Sequence, residues 1–259
     1  MASDRFTKEE ILRHYSEEAE KHGRGGTSTI QDIRTRNLEL KAISSYLRDG
    51  ARVLEVGCGN GYLAIKLIEK FKVKIDAFDF SEDLVRLALQ QPVGDSPGTV
   101  SFSVGDILNY SKRDKFDIVY SVRCIQNLPN WQEQKVALRN IIASLKVGGE
   151  YIMNESFTSG LNNLNEARSE LDLPRIDPPW HNIFFDQGET IAFVESVGGR
   201  YVDENPYLSG YYFGSRVLFP ALSPKAKISS SSRLNDYFAA LPPAGDFCPM
   251  KIVRFRRER

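Results

Sequence analysis

The chain has 259 residues, 41% hydrophobic and 26% charged, with Lys+Arg and Asp+Glu at 34 each; this fits one large domain, or one domain with an added cap, around a substantial core. The zero net charge lacks the basic excess of proteins that live on nucleic acid, so no nucleic-acid partner is expected. Cys58, Cys124 and Cys248 are odd in number and lack CxxC spacing, which argues against a disulfide framework or a zinc site and suits a reducing compartment. Met1 to Arg5 leads into a charged stretch and no apolar run reaches about 18 residues, so no leader and no membrane association are expected, and the location is expected to be cytoplasmic.

In chain order, residues 7–22 read as an amphipathic helix, with Thr7 as cap and Glu10 at the capping-box spacing. Residues 23–29 are a Gly/Ser/Thr-rich break, and a second helix is expected over about 31–48, with Ile33, Leu38, Ile43 and Leu47 near one face. Strands are then expected at Val53–Val56, Val73–Phe78, Val100–Val104, Phe116–Ser121 and Glu150–Asn154. Helices are expected over 61–70, 82–91 and 131–145, with Gly148-Gly149 as a turn. That alternation predicts an α/β fold with a doubly wound, mostly parallel seven-stranded sheet and helices on both faces. Beyond 155 the rhythm loosens. Helices are expected over 160–171 and 187–197, two aromatic strand-like pieces within Tyr201–Phe219, a Ser/Pro/Ala-rich insertion or lid over 221–246 and a last strand at Met250–Phe255. The Ser229–Ser232 run reads as a loop, and Arg254, Arg256, Arg257 and Arg259 as the solvated end of a strand. The organisation that follows is a helical lid over 1–48, a core over 49–155 and a substrate-side region over 156–259 that completes the sheet.

The motif with most information is Val53-Leu54-Glu55-Val56-Gly57-Cys58-Gly59-Asn60-Gly61. A strand delivers an acid, a glycine-rich turn and then a helix. Glycine permits unusual backbone angles and close approach of a ligand to the main chain. A dinucleotide loop requires G-x-G-x-x-G, and here its third glycine would be Tyr62. A diphosphate beside Glu55 is disfavoured, whereas a ligand with a sulfonium and an ammonium group is not.

E-x-G-x-G-x-G after an apolar strand resembles motif I of the class I (Rossmann-like) S-adenosylmethionine-dependent methyltransferases, of the small-molecule type. The resemblance implies S-adenosylmethionine as cofactor, backbone contacts from Gly57, Gly59 and Gly61, and Glu55 supporting the loop or the cofactor amine. Asp79, 24 residues after Glu55 at the end of the second strand, is implied to accept the ribose hydroxyls, with Phe80 on the adenine; an N-cap role is left to Ser81. Asp106 and Ile107, after the third strand, are implied to read the adenine. Ser121 and the Val122–Leu128 segment after the fourth strand resemble the stretch that lies between cofactor and substrate. Lys146-Val147-Gly148-Gly149 matches the family's pattern before the fifth strand. The resemblance covers about residues 36–155.

In many members the segment ahead of the core folds over the cofactor, which makes Tyr15 and Arg36 cofactor-side candidates, with Arg36 suited to a carboxylate. Acceptor candidates are Arg123, Gln126, Asn127, Trp180 and Tyr211, with Arg123 and Arg216 suited to an anionic group. Two candidates stand for a general base. One is His181, which reads equally as a histidine bonded to the backbone; the other is Glu155, just past the fifth strand. The expected function is methyl transfer to an oxygen of a small polar metabolite, such as a sugar or natural-product intermediate. N-methylation of a small amine and a non-catalytic cofactor-binding module stand as alternatives. No metal is expected. The partner is a small-molecule substrate, with a homodimer as a further option through the aromatic stretch 207–219.

Overall fold

The computed structural model describes residues 6–23, 32–223 and 232–259. Most of the 23–29 break, the first residue expected of the second helix, and Ser229 to Ser231 lie outside the described residues. Seven strands form one sheet: β1 (Arg52–Val56), β2 (Lys74–Asp79), β3 (Thr99–Val104), β4 (Phe116–Val122), β5 (Leu145–Ser156), β6 (Gly199–Asn205) and β7 (Met250–Arg257). Their order is β3-β2-β1-β4-β5-β7-β6, parallel except for β7, which runs antiparallel to both β5 and β6. Chain direction away from β1 reverses between β1 and β4, the switch point where open α/β sheets bind ligands.

Helices α1 (Lys8–His22), α2 (Ile33–Ser44), α3 (Tyr62–Ile68), α4 (Glu82–Leu89), α5 (Trp131–Ser144), α6 (Thr158–Ser169) and α7 (Gln187–Ser196) fall close to expectation. Thr7 and Glu10 form the capping box at the start of α1. The sheet is covered on both sides because its strands alternate between two apolar sets. Leu54, Val56, Phe116, Tyr151 and Phe255 pack with α5 residues Leu138 and Ile141. Val53, Ile118, Tyr120 and Ile152 pack with Leu63, Leu67 and the α2 residue Ile43. Each fully buried Leu or Ile adds roughly 1.5–3 kcal/mol relative to exposure.

Several elements differ from expectation. In α2 the buried face is Thr35, Arg36, Glu39, Leu40, Ala42 and Ile43, while Ile33 is 40% exposed. Gly148-Gly149 is a bulge inside β5: Phe116 pairs with Leu145 and Ile118 with Glu150, so the intervening residues loop out. Gly148 has φ +80°, and a Cβ on Gly149 would lie 2.9 Å from the Lys146 carbonyl oxygen. Only the first aromatic piece after Tyr201 is a strand. The second is helical, as α8 (Ser209–Phe213), a π turn (Gly214–Leu218) and α9 (Phe219–Leu222), followed by α10 (Leu234–Ala240). Leu208 and Tyr211 share a small core with Met250, and Gly214 lies against the Phe238 ring; tertiary packing here overrides the β-like composition. The C-terminal arginines are paired rather than simply solvated: Arg254 with Asp203 and Glu150, Arg256 with Glu150, and Arg257 with Asp114. No described helix is long and apolar enough to cross a membrane.

Candidate active site

A cavity opens at the carboxyl ends of β1, β2 and β4 and reaches solvent at its mouth; open α/β sheets hold small molecules at this place. Its floor is the loop after β1. Gly57, Gly59 and Gly61 all have positive φ, at +75°, +53° and +77°, the left-handed region open to glycine. The bare Cα atoms also serve internal packing. A Cβ on Gly57 would lie 2.3 Å from Cys124 Sγ, and one on Gly61 would lie 2.7 Å from Phe102. Gly61 is the first-turn cap of α3 and is not on the cavity wall, whereas Gly57 and Gly59 are.

Glu55 is 2% exposed, and among the described residues its Oε2 has no hydrogen-bond partner. Burial pushes its carboxyl up to about 8, offset only in part by the Tyr120 hydroxyl and the Arg36 guanidinium. A buried acceptor on the cavity wall without a donor suits an incoming ammonium group. Asp79 closes β2 and is also buried. It accepts from the Gly59 amide at 2.8 Å and from the Ser81 amide at 3.0 Å, so it fastens the glycine loop as well as lining the cavity. Burial raises its pKa against those amides. Ser81 caps α4, as expected. Phe80 and Ile107 lie on the wall. Asp106 starts a 3₁₀ turn, accepting from the Leu108 amide at 3.0 Å, and is ion-paired with Lys8 of α1.

At the other end stand Arg36 and Arg123. Glu39, fully buried in α2, accepts from Arg36 Nη1 at 2.9 Å through one oxygen and from Arg123 Nε at 3.2 Å through the other. Arg123 has φ +51°, held by its amide bond to the Asn154 carbonyl at 2.9 Å; such left-handed strain in a non-glycine residue clusters at functional sites. Asn127 Nδ2 donates to the Tyr15 hydroxyl at 2.7 Å and to the Arg123 carbonyl at 2.9 Å. Burial raises the Tyr15 and Cys124 pKa values.

Other expected residues stand away from the cavity wall. Ser121 is fully buried and bonds Tyr151 and Glu155, both at 2.7 Å. Glu155 also accepts from the amides of Cys124, Ile125 and Gln126 at 3.2, 3.1 and 3.3 Å. It anchors the segment after β4 and does not reach the cavity. Gln126 turns inward, accepting from the Ser156 amide at 2.8 Å. Tyr211 donates to Asp32 at 2.6 Å, beside Arg216, which pairs with the same carboxylate. His181 packs its ring 4.5 Å from that of His14, with Trp180 edge-on to both; Trp180 is half-exposed. Burial and the neighbouring His14 push His181 down to about 4. Glu39, Lys8 and Cys124 were not expected. Helical spacing held a signal for Glu39, since it lies one turn from Arg36 on the face shared with Ile43.

Residues 53–149 match a family model described as a methyltransferase domain. The chain thus carries the domain of the class I, Rossmann-like methyltransferases, whose cofactor is S-adenosylmethionine. Among relatives, malonyl-[acyl-carrier protein] O-methyltransferase 1 of Ilyobacter polytropus is 34% identical over 122 residues, 46% of this chain and 43% of that protein. Phosphoethanolamine N-methyltransferase 2 of Caenorhabditis elegans is 29% identical over 117 residues, 44% of this chain and 26% of that protein. The chain thus spans less than half the length of either. In fold it is similar to magnesium protoporphyrin IX methyltransferase from Synechocystis PCC 6803, solved with bound SAH: TM-score 0.62, 14% identity, covering 96% of this chain and 100% of the other. Among the described residues there is no group of three or more His, Cys, Asp or Glu that could hold a metal ion.

Proposed function

We propose that the chain transfers a methyl group from S-adenosylmethionine to an oxygen of a small polar molecule. The observation that carries this reading is the donorless Glu55 Oε2 on a cavity floored by the glycine loop and Asp79. Gly57 and Gly59 present backbone to the methionine end, Glu55 accepts from its ammonium, and Arg36 lies on the same wall for its carboxylate. Asp79 takes the ribose, and Phe80, Asp106 and Ile107 frame the adenine. When bound, the cofactor supplies an electrophilic methyl on a sulfonium; the protein's part is to orient acceptor and methyl in line and keep water out. An amine acceptor, as the name of the worm relative suggests, competes with this reading. An ammonium must first lose a proton, and the Arg123 guanidinium on the same wall repels it.

Titration calorimetry with S-adenosylmethionine, S-adenosylhomocysteine and NAD tests the proposal. Micromolar binding of the first two, lost in Asp79→Ala, is expected. Absence of both, or binding of NAD alone, would refute it.

A further inference from the structure

We propose that Glu39 is a positioning residue of the site: it sets Arg36 in place for the carboxylate at the amino-acid end of the cofactor. The proposal rests on the methyltransferase reading above and deepens it by a residue that acts without touching the ligand. Glu39 lies in α2 and is fully buried. Its carboxylate is divided between two arginines. Oε1 accepts from Arg36 Nη1 at 2.9 Å, and Oε2 accepts from Arg123 Nε at 3.2 Å. Arg36 stands three residues away on the same helix, whereas Arg123 follows β4, 84 residues along the chain. Both arginines line the cavity and Glu39 does not. One carboxylate off the wall thus fixes two guanidinium groups on it.

Stability alone does not account for this arrangement. A buried triad of charges adds little net, because desolvation offsets the attraction. Placement is a different matter. An arginine side chain has about 2 kcal/mol of rotamer entropy to lose, and a ligand that must order it binds more weakly for that reason. In Arg36 the ordering is done on folding. Its Nη1 is held by Glu39, and its guanidinium carbon lies 5.2 Å from the centre of the Tyr62 ring, which also lines the cavity. Charge acts in the same direction. Burial and the nearby Arg123 both work against the charge on Arg36, and the Glu39 carboxylate offsets them. With Glu39 neutral, the two guanidinium groups would repel each other and Arg36 would turn. A planar fork matches a carboxylate only when its plane is set, so that turn would cost affinity for the amino-acid end. The nucleoside, which the proposed function assigns to Asp79, Phe80, Asp106 and Ile107, would be held as before.

S-adenosylhomocysteine and 5′-methylthioadenosine share a nucleoside and a thioether, but only the first carries the amino acid. Titration calorimetry with both separates positioning from a general loss of structure. In Glu39→Gln, which keeps the size and removes the charge, affinity for S-adenosylhomocysteine should fall about tenfold or more, while that for 5′-methylthioadenosine should stay within about twofold. Because the effect runs through Arg36, Arg36→Met should give a similar loss, and adding Glu39→Gln to it should weaken binding little further. This cycle needs only S-adenosylhomocysteine, so it decides even where the shorter ligand binds too weakly to titrate. Glu39→Asp keeps the charge but is one methylene too short to hold both arginines. It serves where the glutamine variant does not fold, and should shift the ratio of the two affinities the same way by about threefold or more. Equal losses for the two ligands, an unchanged ratio, or full additivity of the Arg36 and Glu39 substitutions would overturn the proposal. Wild-type protein that binds neither ligand would remove the methyltransferase reading itself. Wild-type protein that binds both equally would leave that reading standing and overturn the place given to Arg36 and Glu39.

Discussion

Cofactor binding should expel a proton, and the proton should come from Glu55. Burial holds its carboxyl up to about 8 against an ordinary 4.5. The folded pKa lies above the unfolded one, so the contribution of this group to stability is complete below about pH 4.5 and is lost as pH rises through about 8. At pH 7 the free protein then carries the proton in about 0.9 of molecules. An ammonium docking on Oε2 requires the ionised form. An α-amino group titrating near 7.7–8.0 takes up about 0.1 proton at pH 7, which leaves a net release of about 0.8. The same linkage tightens binding about eightfold between pH 6 and pH 7. Titration calorimetry at pH 7 in phosphate and in Tris measures the release from the dependence of the apparent enthalpy on buffer ionisation. Glu55→Gln should abolish both the release and the pH dependence. A wild-type release near zero would refute the placing of the ammonium on Glu55.

Other expectations separate structural from chemical roles. Asp79→Asn keeps the size but weakens acceptance from the Gly59 and Ser81 amides, so S-adenosylhomocysteine affinity should fall at least tenfold and the midpoint in urea should drop; a shift in the midpoint alone would limit Asp79 to fastening the loop. Gly57→Ala should destabilise by about 2 kcal/mol or more, because the new Cβ meets Cys124 Sγ and the backbone sits at positive φ, and Cys124→Gly should restore part of it in the double variant; no recovery would assign the loss to backbone strain alone. Glu155→Ala should lower unfolding free energy by about 3–5 kcal/mol in urea, since a buried carboxylate with four donors is removed; a stable but inactive variant would return Glu155 to a role in chemistry. His181→Ala should change turnover less than threefold at saturating cofactor, and a loss of a hundredfold or more would show that the imidazole reaches the acceptor.

The alternating core was legible because each strand is a short apolar run followed by a turn signal, and each helix returns at the right length. The meeting of Glu55, Gly57, Gly59, Asp79 and Asp106 on one cavity wall was legible for the same reason: they stand at strand ends, where sequence order fixes position. Glu155 shows the limit. A carboxylate at the end of a strand reads as available, and only folding shows three consecutive amides of the 124–126 segment closing on it. Glu39 shows the converse. A glutamate in a helix reads as solvated, yet its turn faces two arginines and no water. The 209–222 stretch was misread because aromatic residues favour strands, while its partners, Met250 and Phe238, come from distant parts of the chain.

The cavity wall divides by origin. One end is made largely of main-chain turns at the tips of β1 and β2, which cannot change without disturbing the sheet. The opposite end is made of side chains from α1, α2 and the loop after β4: Tyr15, Arg36, Arg123 and Asn127. Exchanging Tyr15, Arg123 or Asn127 would reshape that end and leave the main-chain turns of the other untouched. Under the proposed function that end is the evolvable part of the cavity, and a library confined to these three residues is the economical route to redirecting it.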